Sequence, residues 1–484
     1  MARADLCYYD SGTMPYDSRA PSAAATAVLP TAPRALPKVL GAADGAALVI
    51  GTSIGVGIYA TPRIIAGYLG TFPLVISLWL AVGLFVLIGC FIYAELGTRL
   101  PETGGEYVYL SRALGPFAGF MFGWAQLFII RTGATAGVAL IAADYLGYFV
   151  KLSAAGRIVS ALLLVAGLGA INWLGVTRAS TFQKAATAVK VLGIVALIVA
   201  GLVLVGRQDD AAGVTGAREH AAVSPANLAA AVMMIFFSYS GWTRLGYVAG
   251  EMKDPRRTIP FSLFIGIGTV IAVNCLMNVL YFRVLGMQGI AASTALASDT
   301  AMRIMGPTGA RVVAALVVVS AVGTMNGTVM SASRCYYAMA HDGVLFGWLD
   351  YVSPRFLTPA RAILAHCLWS AVLILVRKEF QVIVASRVFA NLIYYGAATL
   401  ALFRLRRKGI GAQRSYRSPF YPVLPALFLA CLAGFIAFRI IFAWYDSLVD
   451  LAFILSGLPF WLKWGRSPIS LPTRPAPRED PSRK

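Results

Sequence analysis

Charged residues are scarce in this chain. Of its 484 residues only 13% are charged, whereas 58% are hydrophobic, and the mean hydropathy is +0.73. About 25% of the residues of an ordinary soluble domain are charged. The composition therefore excludes such a domain, and it predicts that lipid is the solvent of most of the chain.

Clusters of side chains that bind metals or form disulfides are also lacking. The six cysteines are scattered without a CxxC pair, and the three histidines lie far apart in sequence. We therefore expect no metal site, no cofactor and no disulfide framework. Because no nucleophile or base with partners is found at membrane depth, we assign no catalytic residue, and a membrane-embedded enzyme is only a remote alternative.

Acidic residues are few beside basic ones, which leaves a formal net charge of +20. In a soluble protein this excess would suggest nucleic acid as a partner. Here the basic residues lie in short links between apolar runs, as in the stretch from Arg404 to Lys408. This placement is typical of cytoplasmic loops that face anionic lipid, so we expect a lipid bilayer and no nucleic acid as a partner.

The apolar runs predict about twelve transmembrane helices in a domain of residues 39–464. Residues 1–38 are predicted to be a disordered N-terminal tail and residues 465–484 a C-terminal tail. Loops that would be inside carry more Lys and Arg than the others, which predicts that both termini are cytoplasmic. The spans are expected near 44–68, 72–97, 115–149, 156–175, 184–206, 226–249, 260–285, 309–338, 361–377, 381–403, 423–443 and 447–464.

Two predicted spans are interrupted by small and hydroxyl-bearing residues. The first span contains the sequence from Gly51 to Gly57, and the sixth contains the sequence from Ser238 to Trp242. A break at membrane depth is tolerated only where its backbone groups line a cavity or meet a ligand. Breaks five helices apart favour an inverted repeat with a midplane site for a zwitterion, although close helix packing is the alternative explanation for the small residues.

Motifs spread over nearly the whole membrane region carry a family resemblance. They are the stretch from Gly51 to Pro62, the loop from Pro101 to Tyr109, Ile129-Ile130-Arg131, the segment from Phe237 to Pro260, and the link from Ser333 to Gly343. In these motifs the chain resembles the amino acid–polyamine–organocation superfamily, and most closely L-type amino-acid transporters and their bacterial relatives. The resemblance implies an all-α membrane protein of the LeuT type, with a five-plus-five inverted repeat, two extra helices, unwound helices 1 and 6, and alternating access.

The resemblance also implies which residues bind substrate. Helix-one amides would hold the substrate carboxylate and helix-six carbonyls its amine, and Phe237 would be the aromatic gate. Val56 stands where a serine is usual in the family, so one hydroxyl is absent. The implied substrate-binding residues are Ser53, Gly55, Val56, Gly57, Phe237, Ser238 and Ser240.

Three cations inside predicted spans are further candidates. Sodium-independent relatives resemble this chain in placing a helix-five lysine near the sodium position, which implies a coupling role for Lys190. The alternative is a lysine that faces lipid and snorkels. Arg131 and Arg244 are candidates for substrate specificity. The alternatives are that Arg131 pairs with a carbonyl or carboxylate, and that Arg244 snorkels or pairs with Glu251.

The predicted function is secondary active transport of a small-molecule amino acid or amine. Sodium-independent exchange is the preferred mode, and proton-coupled import of an amino acid, amine or polyamine is the alternative. The loop from Gly147 to Arg157 lacks the cysteine with which animal light chains bond a glycoprotein. We therefore expect no disulfide-linked heavy chain, and a prokaryotic inner membrane as the location.

Overall fold

The computed structural model describes residues 38–204, 223–341 and 343–464. This part of the chain is helical, and its one β-type contact is an isolated bridge between Leu40 and Met252. The predicted all-α class is confirmed. The two predicted tails lie outside the described residues, except for Lys38.

Most helices are long, as the apolar runs require. The α-helices are α1 (Ala42–Ser53), α2 (Gly57–Leu69), α3 (Phe72–Arg99), α4 (Glu106–Leu114), α5 (Pro116–Ala125), α6 (Arg131–Leu146), α7 (Ala154–Trp173), α8 (Val176–Leu204), α9 (Pro225–Tyr239), α10 (Pro255–Ala292), α11 (Leu296–His341), α12 (Ala360–Arg377), α13 (Phe380–Arg407), α14 (Val423–Phe442), α15 (Trp444–Leu455) and α16 (Gly457–Trp464). A π-helical turn, Gln126–Ile130, joins α5 to α6, and a 3₁₀-helix, Trp242–Glu251, follows α9.

The helices account for the expected spans. Within the described ranges, ten helical segments are long and apolar enough to cross a membrane, and α1 with α2 forms a further span that is bent by 47°. The expected fifth span corresponds to α8, which contains the shorter apolar stretch Ala188–Gly201. The chain is thus a multi-pass membrane protein.

The link between the seventh and eighth spans is more helical than expected. Gly286 (φ 65°) and Gly306 (φ 71°) interrupt α10 and α11 where the sequence predicts that the spans end and begin. Between these glycines, however, the chain forms further helical turns instead of a plain loop. Hydropathy locates the apolar spans well, but it contains little information on short helical segments between them.

The helix packing brings the two interrupted spans together. The α2 helix packs against α9, and α1 packs against the 3₁₀-helix that continues α9. Around this pair, α10 contacts α1, α2 and α3, while α13 contacts α6 and α9. The breaks therefore lie inside the helix bundle rather than at its lipid-facing surface.

Candidate functional site

The first span is broken between α1 and α2. Ile54 has an extended backbone conformation (φ −75°, ψ 92°), and α2 starts again at Gly57. Among the described residues, the amides of Gly55, Val56 and Gly57 donate to no backbone or side-chain acceptor. Free amides at a helix N-terminus form a site for an anion such as a carboxylate.

The sixth span is broken after α9. Ser240 has an extended backbone conformation (φ −71°, ψ 146°), and Gly241 has φ +127°. The Ser240 hydroxyl donates to the Phe237 carbonyl at 2.6 Å, which closes the last turn of α9. The carbonyl end of a helix carries partial negative charge, so this break suits an ammonium group.

The two breaks contact each other directly. The Thr52 hydroxyl donates to the Gly241 carbonyl at 3.1 Å, and the hydroxyl oxygens of Thr61 and Ser238 lie 2.8 Å apart. A Cβ at Gly241 would lie 2.5 Å from the Thr52 carbonyl oxygen, so this close approach requires glycine. Amides that can hold a carboxylate thus lie beside carbonyls that can hold an amine, as one small zwitterion requires.

All seven residues predicted to bind substrate lie at these two breaks. The Ser53 hydroxyl is buried and has no hydrogen-bond partner in the described structure. The Val56 side chain is only 1% exposed, so this residue offers its amide and not its side chain. The Phe237 ring is buried, and it packs edge-on against Phe380 with ring centroids 5.5 Å apart.

Lys190 lies against the first break. Its Nζ donates to the Gly51 carbonyl oxygen at 2.7 Å, and the residue is only 5% exposed. The lipid-facing side of α8 carries Leu192 and Val195 instead, which are 68% and 52% exposed. The structure thus places Lys190 against the first span and not towards lipid.

Arg131 and Arg244 line one cavity beside the second break. This cavity also includes Ser240 and Gly241 of the break itself. Arg131 follows the π-helical turn, and its Nε donates to Gln126 Oε1 at 2.8 Å. In the described part of the chain, Arg244 forms no ion pair with Glu251, which was one of the alternatives left open by the sequence.

Two charged residues of this cavity, Glu106 on α4 and Arg387 on α13, are not among the site residues predicted from the sequence. Arg387 could have been noticed, because an arginine in the middle of an apolar span is costly and usually faces protein or water. Glu106 is part of the motif that follows helix two, where it resembles an ordinary interfacial charge. Neither residue type indicates by itself that the two meet in space.

Comparison with known proteins agrees with this geometry. The family model for amino acid permeases matches residues 40–456 of the chain. This chain belongs to the amino acid permease family. The predicted membership of the amino acid–polyamine–organocation superfamily is thereby confirmed, and the protein is a transporter rather than an enzyme.

Three similar proteins illustrate the range of the family. The b(0,+)-type amino acid transporter 1 of Homo sapiens is 31% identical over 432 residues, which cover 88% of each chain. The serine/threonine exchanger SteT of Bacillus subtilis (strain 168) is 31% identical over 402 residues, which cover 82% of this permease and 89% of the exchanger. The cystine/glutamate transporter of Homo sapiens is 27% identical over 437 residues, which cover 88% of this permease and 85% of the relative. The predicted resemblance to L-type transporters is thus confirmed.

Proposed function

We propose that this permease exchanges amino acids across the membrane by alternating access at the two helix breaks, without sodium. The observation that carries the proposal is the contact between the breaks, which places the amides of residues 55–57 beside the carbonyl end of α9. A bound amino acid satisfies both sets of groups at once. Exchange as the mode is supported by the similarity to a protein described as an exchanger.

The substrate contacts follow from the direction of each helix end. The carboxylate binds the amides of Gly55, Val56 and Gly57, and the unpartnered Ser53 hydroxyl is close enough in sequence to assist. The amine binds the carbonyl end of α9, where Ser238 and Ser240 lie. Phe237 acts as the gate, because it lies in the last turn of α9 at this break and its buried ring packs against Phe380 of α13.

The absence of a sodium requirement follows from Lys190. Its ammonium group already neutralises the Gly51 carbonyl next to the break, at a distance of 2.7 Å. A charge-assisted hydrogen bond of this kind fills the role that a bound cation would otherwise have there. The same contact fixes the end of α1 to α8.

Transport by purified protein in proteoliposomes tests this function. Vesicles are preloaded with a panel of amino acids and amines or left empty, and uptake of labelled substrate is measured in sodium and in choline buffer. We expect uptake of amino acids only into preloaded vesicles, at the same rate in both buffers. Uptake into empty vesicles that requires a proton gradient would establish proton-coupled import instead, and uptake of none of the compounds would refute the proposed function.

For its location we propose a prokaryotic inner membrane, with both termini cytoplasmic and no disulfide-linked heavy chain. The support is the basic cluster at the end of α13 and the lack of cysteine between Gly147 and Arg157. A membrane-impermeant maleimide should label Lys151→Cys but not Lys408→Cys in intact spheroplasts of a cysteine-free variant. The reverse pattern would contradict this orientation, and a larger species that disappears on reduction would contradict the absence of a disulfide-linked partner.

A further inference from the structure

Three arginines share one cavity inside the helix bundle. Arg131 comes from α6, Arg244 from the 3₁₀-helix after the second break, and Arg387 from α13. The carboxylate that lines the same cavity is Glu106 of α4. Buried charges are normally paired, so an excess of cations at this place requires an explanation.

The arginines are not neutralised by neighbouring carboxylates. Within the described ranges, none of the three forms an ion pair. Arg131 Nη1 and Arg387 Nε are buried without any hydrogen-bond partner, and Arg387 is only 9% exposed. An unsatisfied guanidinium donor in a buried cavity is unfavourable unless a ligand meets it.

Glu106 compensates these charges only in part. It begins α4, which precedes the third membrane span, and its Oε2 is buried without a hydrogen-bond partner. Burial raises the pKa of the Glu106 carboxyl, because the charged form is poorly solvated there. Because three arginines and one carboxylate line the cavity, it keeps a net positive charge even with Glu106 ionised.

The position and size of the cavity indicate which chemical group of a ligand fits it. Ser240 and Gly241 of the second break form part of its wall, so the cavity adjoins the groups that hold the amine. It encloses about 30 Å³, and roughly 10–15 Å³ holds one water-sized group. There is thus room for two oxygen atoms at the end of a side chain, but not for a bulky apolar group.

We propose that this arginine cavity binds an anionic group on the substrate side chain, so that the preferred substrates are amino acids whose side chain ends in a carboxylate. The inference rests on the proposed function, because it assigns the side-chain subsite of the same transport site. Guanidinium groups bind a carboxylate through paired hydrogen bonds. Three of them also repel a cationic side chain, which selects against basic amino acids.

In this arrangement Glu106 is the acidic side chain among the lining residues of the cavity, and it offsets part of the positive charge of the arginines. It competes with the substrate carboxylate for the arginines, since both are anions in one cavity. Arg387 is the residue expected to contact the substrate most directly, because its free Nε and its position 5.2 Å above the Phe237 ring place it next to the gate.

Glutamate and glutamine are the substrates that test the inference, because they have nearly the same shape and differ in side-chain charge. We measure exchange of both in proteoliposomes for the wild type and for Arg387→Gln, Arg387→Lys and Glu106→Gln. The matched control is Arg311→Gln, which alters an exposed arginine on α11. The ratio of the two rates corrects for differences in the amount of folded protein.

The wild type should prefer glutamate over glutamine. In Arg387→Gln the ratio of glutamate to glutamine transport should fall by about tenfold or more, Arg387→Lys should restore part of it, and Arg311→Gln should match the wild type. Glu106→Gln should lower the KM for glutamate relative to that for glutamine. The inference about the arginine cavity would be overturned if the wild type preferred glutamine, or if Arg387→Gln left the ratio of the two rates unchanged; the proposed exchange function would not be affected. Lack of exchange with any amino acid would instead refute the proposed function.

Discussion

At the first break, a single buried lysine contacts the end of a helix. The Lys190 ammonium and the Gly51 carbonyl oxygen are 2.7 Å apart, and the lysine is almost completely buried. A charged group is retained in a membrane interior only where it has a partner of this kind. The contact connects α8 to the last turn of α1, directly before the first break.

Replacing Lys190 by alanine removes this contact. We expect Lys190→Ala to reduce exchange in proteoliposomes to less than about a tenth of the wild-type rate, because a charge-assisted hydrogen bond contributes roughly 1.5–3 kcal/mol. Lys151→Ala, which alters an exposed lysine, is the control and should transport normally. Full activity of Lys190→Ala would show that the break does not depend on this ammonium group.

The proposed gate at the second break is also a single side chain. Phe237 packs against Phe380 and lies beneath the guanidinium of Arg387. Phe237→Ala should therefore lower the exchange rate strongly, since the site can no longer exclude water when it closes.

The control for the gate is Phe261→Ala, because Phe261 is 52% exposed on α10 and should contribute little to transport. Size-exclusion profiles in detergent show whether each variant is folded. A folded Phe237→Ala protein with the exchange rate of the wild type would exclude this ring from the gate.

At the level of helices, the contact between the two breaks depends on glycine. Gly241 has φ +127°, a conformation that other residues rarely adopt, and the backbone of Thr52 occupies the place of its Cβ. We expect Gly241→Ala to destabilise the protein by about 1–3 kcal/mol, a usual range for a strained backbone conformation, and to abolish exchange. The melting temperature in detergent and the transport rate measure the two effects.

Gly268 provides the matched control on α10. It has ordinary helical geometry, and a Cβ there would meet no atom within 4 Å. Gly268→Ala should raise stability by about 1 kcal/mol or leave it unchanged, because alanine favours a helix over glycine. If both variants melt at the wild-type temperature, the close approach at Gly241 is not required for the fold.

Across the whole molecule, a buried ion cluster connects α3 to the last turn of α13 and to the segment that follows it. Glu95 is 0% exposed, and it accepts hydrogen bonds from Arg406 at 2.7 and 2.5 Å, from Arg99 at 2.8 Å and from the Ser418 amide at 2.8 Å. Arg99 in turn donates to the Ile410 carbonyl at 2.7 Å. Glu95 therefore joins parts of the chain that are far apart in sequence.

Removing the charge of Glu95 should lower the stability of the whole helix bundle. Glu95→Gln leaves two arginines without their carboxylate, and loss of one partner of a buried ion pair typically destabilises by about 3–5 kcal/mol. The comparison is Glu102→Gln. The ion-pair partner of Glu102, Arg112, is 34% exposed, and exposed ion pairs contribute only about 0–1 kcal/mol to the free energy of unfolding. Equal melting temperatures for the two variants would contradict a structural role of the cluster.

Much of this protein was determined by its sequence alone. Long apolar runs require lipid and helices, and glycine with serine at residues 51–57 and 238–241 weakens a helix in the middle of a span. These are local effects of solvent and backbone, so composition and spacing were sufficient to predict the class, the spans and the two breaks.

Only the tertiary structure decided which charges meet. Arg131, Arg244, Arg387 and Glu106 lie on four different elements, and each residue alone is compatible with snorkelling, pairing or substrate binding. Likewise, the sequence places Lys190 at a depth in the membrane, but only the packing of α8 against its neighbours turns its side chain to Gly51 instead of lipid. The direction of a side chain around a helix is set by the contacts of that helix, and these contacts form between segments far apart in the chain.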